Sequence, residues 1–159
     1  MRLTRVFGLV FVLMTFLAAP IIAQANSGLA PIEIRLVAQK AGSGPRLVVE
    51  GSGQTLEVEP RTLLGPADFT SVGQVEWVEG KPGFNVALTP AGAQKYERIS
   101  TENVGRTLAI IADGKILMTP KILDPVQAQG FLLTVNTEAE AKQLAEKIRQ
   151  AVSRSTTGG

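Results

Sequence analysis

Ile32, Ile34 and Leu36 alternate with Glu33, Arg35 and Val37, a period of two that predicts a strand with one dry face and one wet face. The stretch AGSGP breaks this pattern. Leu47 and Val49 on one side of a Gly-Ser-Gly turn, with Leu56 and Val58 on the other, then predict a short hairpin. Pro66-Ala67-Asp68 can open one helical turn, and QVEWVEGKPGFNVALTP supplies two more strands around a Gly-Lys-Pro-Gly loop.

At Thr89 the pattern becomes helical. Thr89 suits the N-cap, Pro90 the first helical position, where an N–H would have no partner, and Gly105 a left-handed stop. Ala93, Tyr96, Ser100 and Asn103 share one face, with Ile99 and Val104 beside it, so the helix lies on a sheet and keeps one side wet. A second helix starts at Thr137, which forms a capping-box pattern with Glu140, and carries the apolar stripe Ala141, Leu144, Ala145, Ile148 and Val152. Residues 153–159 read as a disordered tail.

Between the helices, TLAIIADGKILMTP holds two apolar runs around Asp113-Gly114, a pair favoured in two-residue hairpin turns because both central residues take positive φ. Asp113 is therefore assigned to a turn and not to an active site. Leu108, Ile110 and Ala112 point one way and Ala109 and Ile111 the other, so this strand is central or covered on both sides. Strands separate two helices without βαβ alternation, which predicts one α+β domain over residues 31–152. Its expected form is a small, mainly antiparallel sheet with two main helices on one face.

Ahead of this domain, Arg2 and Arg5 precede an apolar run from Val6 to Ala23, and Ala23-Gln24-Ala25 fits a cleavage site. Residues 1–25 thus read as a signal peptide and 26–30 as a leader, with the protein periplasmic or secreted. An uncleaved N-terminal membrane anchor is the alternative. Without the signal, fourteen basic groups face fourteen acidic ones, and no polybasic run exists, so nucleic-acid binding is not expected.

The chain has no histidine and no cysteine. That removes the usual general base at neutral pH, the thiolate nucleophile and the commonest metal ligands. No phosphate-binding glycine loop or calcium-loop spacing occurs, so no cofactor is expected. Glu57 and Glu59 are assigned to a solvated strand face, and Ser100, Ser153 and Lys95 to ordinary helix and tail positions. Trp77, Tyr96, Phe69, Phe84 and Phe131 could line a groove but are assigned to the core. An exposed sheet edge could still receive an extended peptide, which needs backbone groups and not catalytic side chains.

From Val86 to Ile122 the sequence resembles the head subdomain of the first periplasmic domain of SecD, a membrane subunit that assists protein export. The resemblance rests on Leu88-Thr89-Pro90 with Gly92-Ala93, Asn103-Val104-Gly105, Leu108-Ala109-Ile110, Asp113-Gly114-Lys115 and Pro120. Ile32–Val37, Leu63-Leu64 with Asp68, and Thr137-Glu138 through Leu144-Ala145 extend it along the chain. Ala91, Met118-Thr119, Thr134 and Asn136 depart from the pattern. The resemblance implies contact with emerging polypeptide, without the base subdomain and membrane helices of SecD. The expected function is an exported, non-enzymatic module that binds a polypeptide or envelope protein; the alternative is a small-ligand or lipid-binding envelope protein.

Overall fold

A computed structural model describes residues 30–157; the expected signal peptide, its predicted cleavage site at Ala23 and Ala25, and most of the expected leader lie outside them. The elements are β1 (Ile32–Leu36), β2 (Arg46–Val48), β3 (Thr55–Glu57), β4 (Phe69–Val72), β5 (Glu76–Val78), β6 (Lys81–Leu88), α1 (Pro90–Glu102), β7 (Leu108–Ala112), β8 (Lys115–Met118), β9 (Gly130–Thr134) and α2 (Glu138–Thr157), with a 3-10 turn at Pro66–Asp68. The class is α+β, but the expected single sheet is divided. β7 lies between β1 and β8 in one antiparallel sheet; β2 and β3 form a hairpin of their own; β6 organises a third sheet with β4, β5 and β9.

β7 is fully buried along its length. Its Leu108, Ile110 and Ala112 face the main core, which takes Ile32, Ile34 and Leu36 from β1, Phe84, Val86 and Leu88 from β6, and the inward stripes of both helices. Ala109 and Ile111 face a second core made with Ile116, Leu47 of β2 and Val58. Each helix contributes only one apolar stripe, so the helices cover the first face and the β2–β3 hairpin covers the second.

That second cover overturns the expected wet face of β1. Glu33 and Arg35 are 2% and 9% exposed, because they share a face with Ile111 and Ala109, their register partners on β7. The free edge of β1 is also occupied. Ile34 N–H donates to Leu64 O at 2.9 Å, Leu63 N–H to Ile34 O at 2.8 Å and Glu59 N–H to Leu36 O at 2.8 Å. Two charges can lie there because they meet: Glu33 Oε2 accepts from Arg35 Nη2 at 3.0 Å and from Thr62 Oγ1 at 2.8 Å.

In the β6 sheet, β4 and β5 follow one another along one edge of β6, joined by a Gly73 N–H bond to Asn85 O. The turn between β5 and β6 is Glu79-Gly80, with φ of 51° and 80°, not the predicted Gly-Lys-Pro-Gly loop. Positive φ at both residues makes a two-residue turn, which draws Lys81, Pro82 and Gly83 into the strand. Trp77, opposite Pro82 on β5, is 66% exposed and does not join the core to which it was assigned. The other assigned rings do pack inward: Phe131 makes edge contacts with Phe69 at 6.5 Å and Tyr96 at 4.9 Å between centroids.

At the start of α1, Thr89 Oγ1 accepts Gly92 N–H at 2.9 Å, with Pro90 in the first turn. Gly92 has no room for a side chain, since a Cβ would lie 2.2 Å from Asp68 O. The helix stops at Glu102, and Asn103 Nδ2 donates back to Ile99 O at 2.8 Å. Gly105, at φ 86°, turns the chain beyond that stop, and its N–H goes to Ile122 O instead of to the helix. Val104 is half exposed. In α2, Glu140 N–H donates to Thr137 Oγ1 at 3.2 Å. The helix continues to Thr157, past the predicted tail boundary at residue 153. Ser155 Oγ lies 3.3 Å from Pro66 O, so this last turn still touches the body of the domain.

Removing one member of the buried pair strands a charge, so Glu33→Ala should lose about 3–5 kcal/mol in urea unfolding, whereas Glu33→Leu with Arg35→Met should be near neutral or stabilising. Equal losses in the two variants would contradict this. Tyr96, the chain's one tyrosine, has its phenol pKa raised above its usual 10.0 by burial. Its contribution is intact below the unfolded pKa and lost as pH rises through the folded one. Phenolate absorbance should therefore appear later than for an unfolded control and together with loss of tertiary signal.

Candidate functional site

Asp113 and Gly114 form the β7–β8 turn, with φ of 49° and 78°. The Asp113 carboxylate points at α2, where Oδ2 lies 2.6 Å from Lys147 Nζ, and its backbone N–H donates to Pro31 O at 3.2 Å. Lys115, two residues on, pairs with Glu50 at 3.0 Å. A hydrogen bond and attraction from Glu50 raise the Lys115 ammonium above its ordinary pKa, burial opposes this, and Glu140 and Asp113 add to the rise. These charges rim a small cleft of about 60 Å³ between the hairpin and α2. Each lysine is matched to a carboxylate, and the cleft brings no nucleophile to a base.

The remaining candidates are equally structural in their surroundings. Ser100 is completely buried; it donates to Glu97 O at 2.9 Å and accepts Val126 N–H at 2.8 Å, tying α1 to the β8–β9 connection. Lys95 pairs with Asp68 at 2.9 Å. Glu57 accepts Gly44 N–H at 2.9 Å; the backbone amides of Gly42, Gly44 and Ser43, aided by Arg46, lower its pKa against the opposing effect of burial. Glu59 pairs with the Arg106 guanidinium. Neither glutamate is the unattached surface group that its place in the sequence suggested. Among the described residues no group of three or more carboxylates could hold a metal ion.

The feature that the side-chain pattern did not reveal is backbone. β9 pairs with β6 from Gly83–Thr134 to Ala87–Gly130. Val135 N–H donates to Pro82 O and Leu88 N–H to Gln129 O, which phases the ladder: residues 131, 133 and 135 bond to β6. Gly130, Leu132 and Thr134 accordingly turn their N–H and C=O groups to the other edge. β8 passes close to β9 there without pairing with it, so the two sheets are separated by a split. Leu132 and Met118 are each 36% exposed. Gly130 fits β9 tightly to β6, since a Cβ would lie 2.5 Å from Val86 O. The other sheet has no comparable edge: residues 57–64 line β1, and Glu50 N–H bonds Ile116 O of β8.

The arrangement defines an α+β domain with helices on one side of a divided antiparallel sheet. Residues 39–152 match the family model described as SecDF, P1 head subdomain, and the chain belongs to that family. The SecDF protein translocase subunit of Thermus thermophilus is 27% identical over 143 residues, covering 73% of this chain and 20% of that protein. The SecD translocase subunit of Thermobaculum terrenum is 40% identical over 70 residues, covering 44% of this chain and 14% of that one. That of Dictyoglomus turgidum is 30% identical, covering 66% and 28%. The chain therefore spans under a third of the length of these relatives.

The solved structure of a membrane component SecDF that enhances protein export superposes with a TM-score of 0.58 at 22% identity, over 74% of this chain and 61% of that one. The super-membrane-facing form of SecDF gives 0.57, over 74% of this chain and 18% of that one. At such identity the likeness establishes the fold. Among the described residues no helix is long and apolar enough to cross a membrane.

With Asp113 in a left-handed turn and its ion pair exposed, Asp113→Ala should cost about 1 kcal/mol of unfolding free energy, the scale of local turn damage. A loss several times larger in urea titration would give Asp113 a role beyond the turn.

Proposed function

We propose that this domain works outside the cytoplasm as a non-enzymatic accessory of protein export, binding extended polypeptide by strand addition along the outer edge of β9. The observation that carries the proposal is the row of outward backbone groups at Gly130, Leu132 and Thr134, which β8 approaches but leaves unpaired. Strand addition uses main-chain hydrogen bonds for affinity and alternate side chains for selection, so it accepts many sequences. The exposed side chains of Leu132 and Met118 offer apolar contact beside that edge. Family membership supports the export setting, and the relatives are protein translocase subunits. The signal-like residues 1–25 support a periplasmic or secreted location, with cleavage after Ala25.

Leu132→Pro removes one outward N–H while sparing every bond that β9 makes to β6, a position where a strand tolerates proline. Binding of a permanently unfolded exported precursor, followed by fluorescence anisotropy, should weaken roughly tenfold, equivalent to about 1.4 kcal/mol. The unfolding midpoint should shift little. Unchanged precursor affinity in a folded Leu132→Pro variant would overturn the proposal.

A further inference from the structure

A groove of about 360 Å³ lies between α1 and the irregular segment 59–63. Its apolar lining comes from Leu36, Leu63 and Ile99, which are 3%, 8% and 7% exposed. Arg61, Lys95, Arg98 and Arg106 also line it, against only Glu59 and Glu102. Over the described residues as a whole fourteen basic side chains balance fourteen acidic ones, so the excess in the groove is local and is offset by a net negative charge elsewhere.

Partners within the fold account for half of these cations. Lys95 is held by Asp68 and Arg106 by Glu59. Arg61 and Arg98 are exposed and have no ion-pair partner among the described residues. They come from different sides of the groove, Arg61 from the segment and Arg98 from α1. Guanidinium groups present planar forks that match carboxylates.

We propose that this groove binds a carboxylate side chain of an extended polypeptide, with an adjacent apolar side chain against Leu63 and Ile99, and so gives the domain a preference for acidic-apolar segments. The inference rests on the reading of the domain as a polypeptide binder. It adds a second contact, separate from the β9 edge, that selects by charge.

The test uses the full chain and two labelled peptides of alternating sequence, one Glu-Leu and one Lys-Leu, in anisotropy titrations at low and high salt. The expected result is a roughly tenfold preference for the Glu-Leu peptide at low salt that shrinks as salt rises. Arg61→Glu with Arg98→Glu should reverse the preference, and Leu132→Pro should preserve it while weakening both peptides. Both arginines are exposed, so a thermal melt matching the parent shows that the double variant is folded.

An unchanged preference in the double variant, or no preference in the parent, overturns the inference. If either of these results comes with precursor binding intact in the parent, the edge reading stands alone; if the parent binds neither peptide nor precursor, both readings fail. Complete displacement of the peptide by millimolar inorganic phosphate would also overturn it, by marking a simple anion site.

Discussion

The domain depends on a central strand that is apolar on both faces. β7 places Leu108, Ile110 and Ala112 on one side and Ala109 and Ile111 on the other, all within 2% of complete burial. Water must be excluded from both faces, and no single layer can do this. Two amphipathic helices close the first face. The β2–β3 hairpin and Val58 close the second, and the chain that returns from the hairpin then runs along β1 and occupies its edge. Burial of Glu33 and Arg35 follows from this, since they lie on the same covered face as Ala109 and Ile111.

The same construction decides where backbone remains available. Around β7 the edges are occupied: residues 57–64 bond to β1, and Glu50 bonds to β8. The β6 sheet has only one layer of helices over its inner face, and β9 is held from one side alone. A recognition surface made of N–H and C=O groups needs no reactive side chain. It is compatible with a chain that lacks histidine and cysteine and whose candidate carboxylates are tied into ion pairs or backbone bonds. The charged groove beside α1 would add selectivity to an edge that has little of its own.

Local chemistry made several parts of this fold legible. Asp113-Gly114 specifies its own turn, Thr89 and Thr137 cap their helices through their own hydroxyls, and the continuous apolar run at 108–112 announces a strand with two covered faces. What escaped depends on contacts distant in sequence. The alternation at Glu33 and Arg35 reads as a wet face because their cover arrives from residues 45–62. β9 is short, begins on a glycine and follows a stretch with Pro125, Gln127 and Gln129, and only pairing with β6 makes it a strand. Trp77 reads as core by residue type, yet on β5 it is left 66% exposed. The open edge was foreseeable only as a general possibility, because which strand lacks a neighbour is a property of topology. The Arg61–Arg98 groove joins residues far apart in sequence, with no motif to mark it.

Amide hydrogen exchange resolved to single residues, with and without an unfolded exported precursor, tests the central claim most directly. The account predicts that Leu132 and Thr134 exchange quickly in the free domain, while Phe131 and Leu133, bonded to β6, exchange slowly. Precursor should then slow Leu132 and Thr134 selectively. Fast exchange at both residues in the presence of saturating precursor would contradict strand addition at β9.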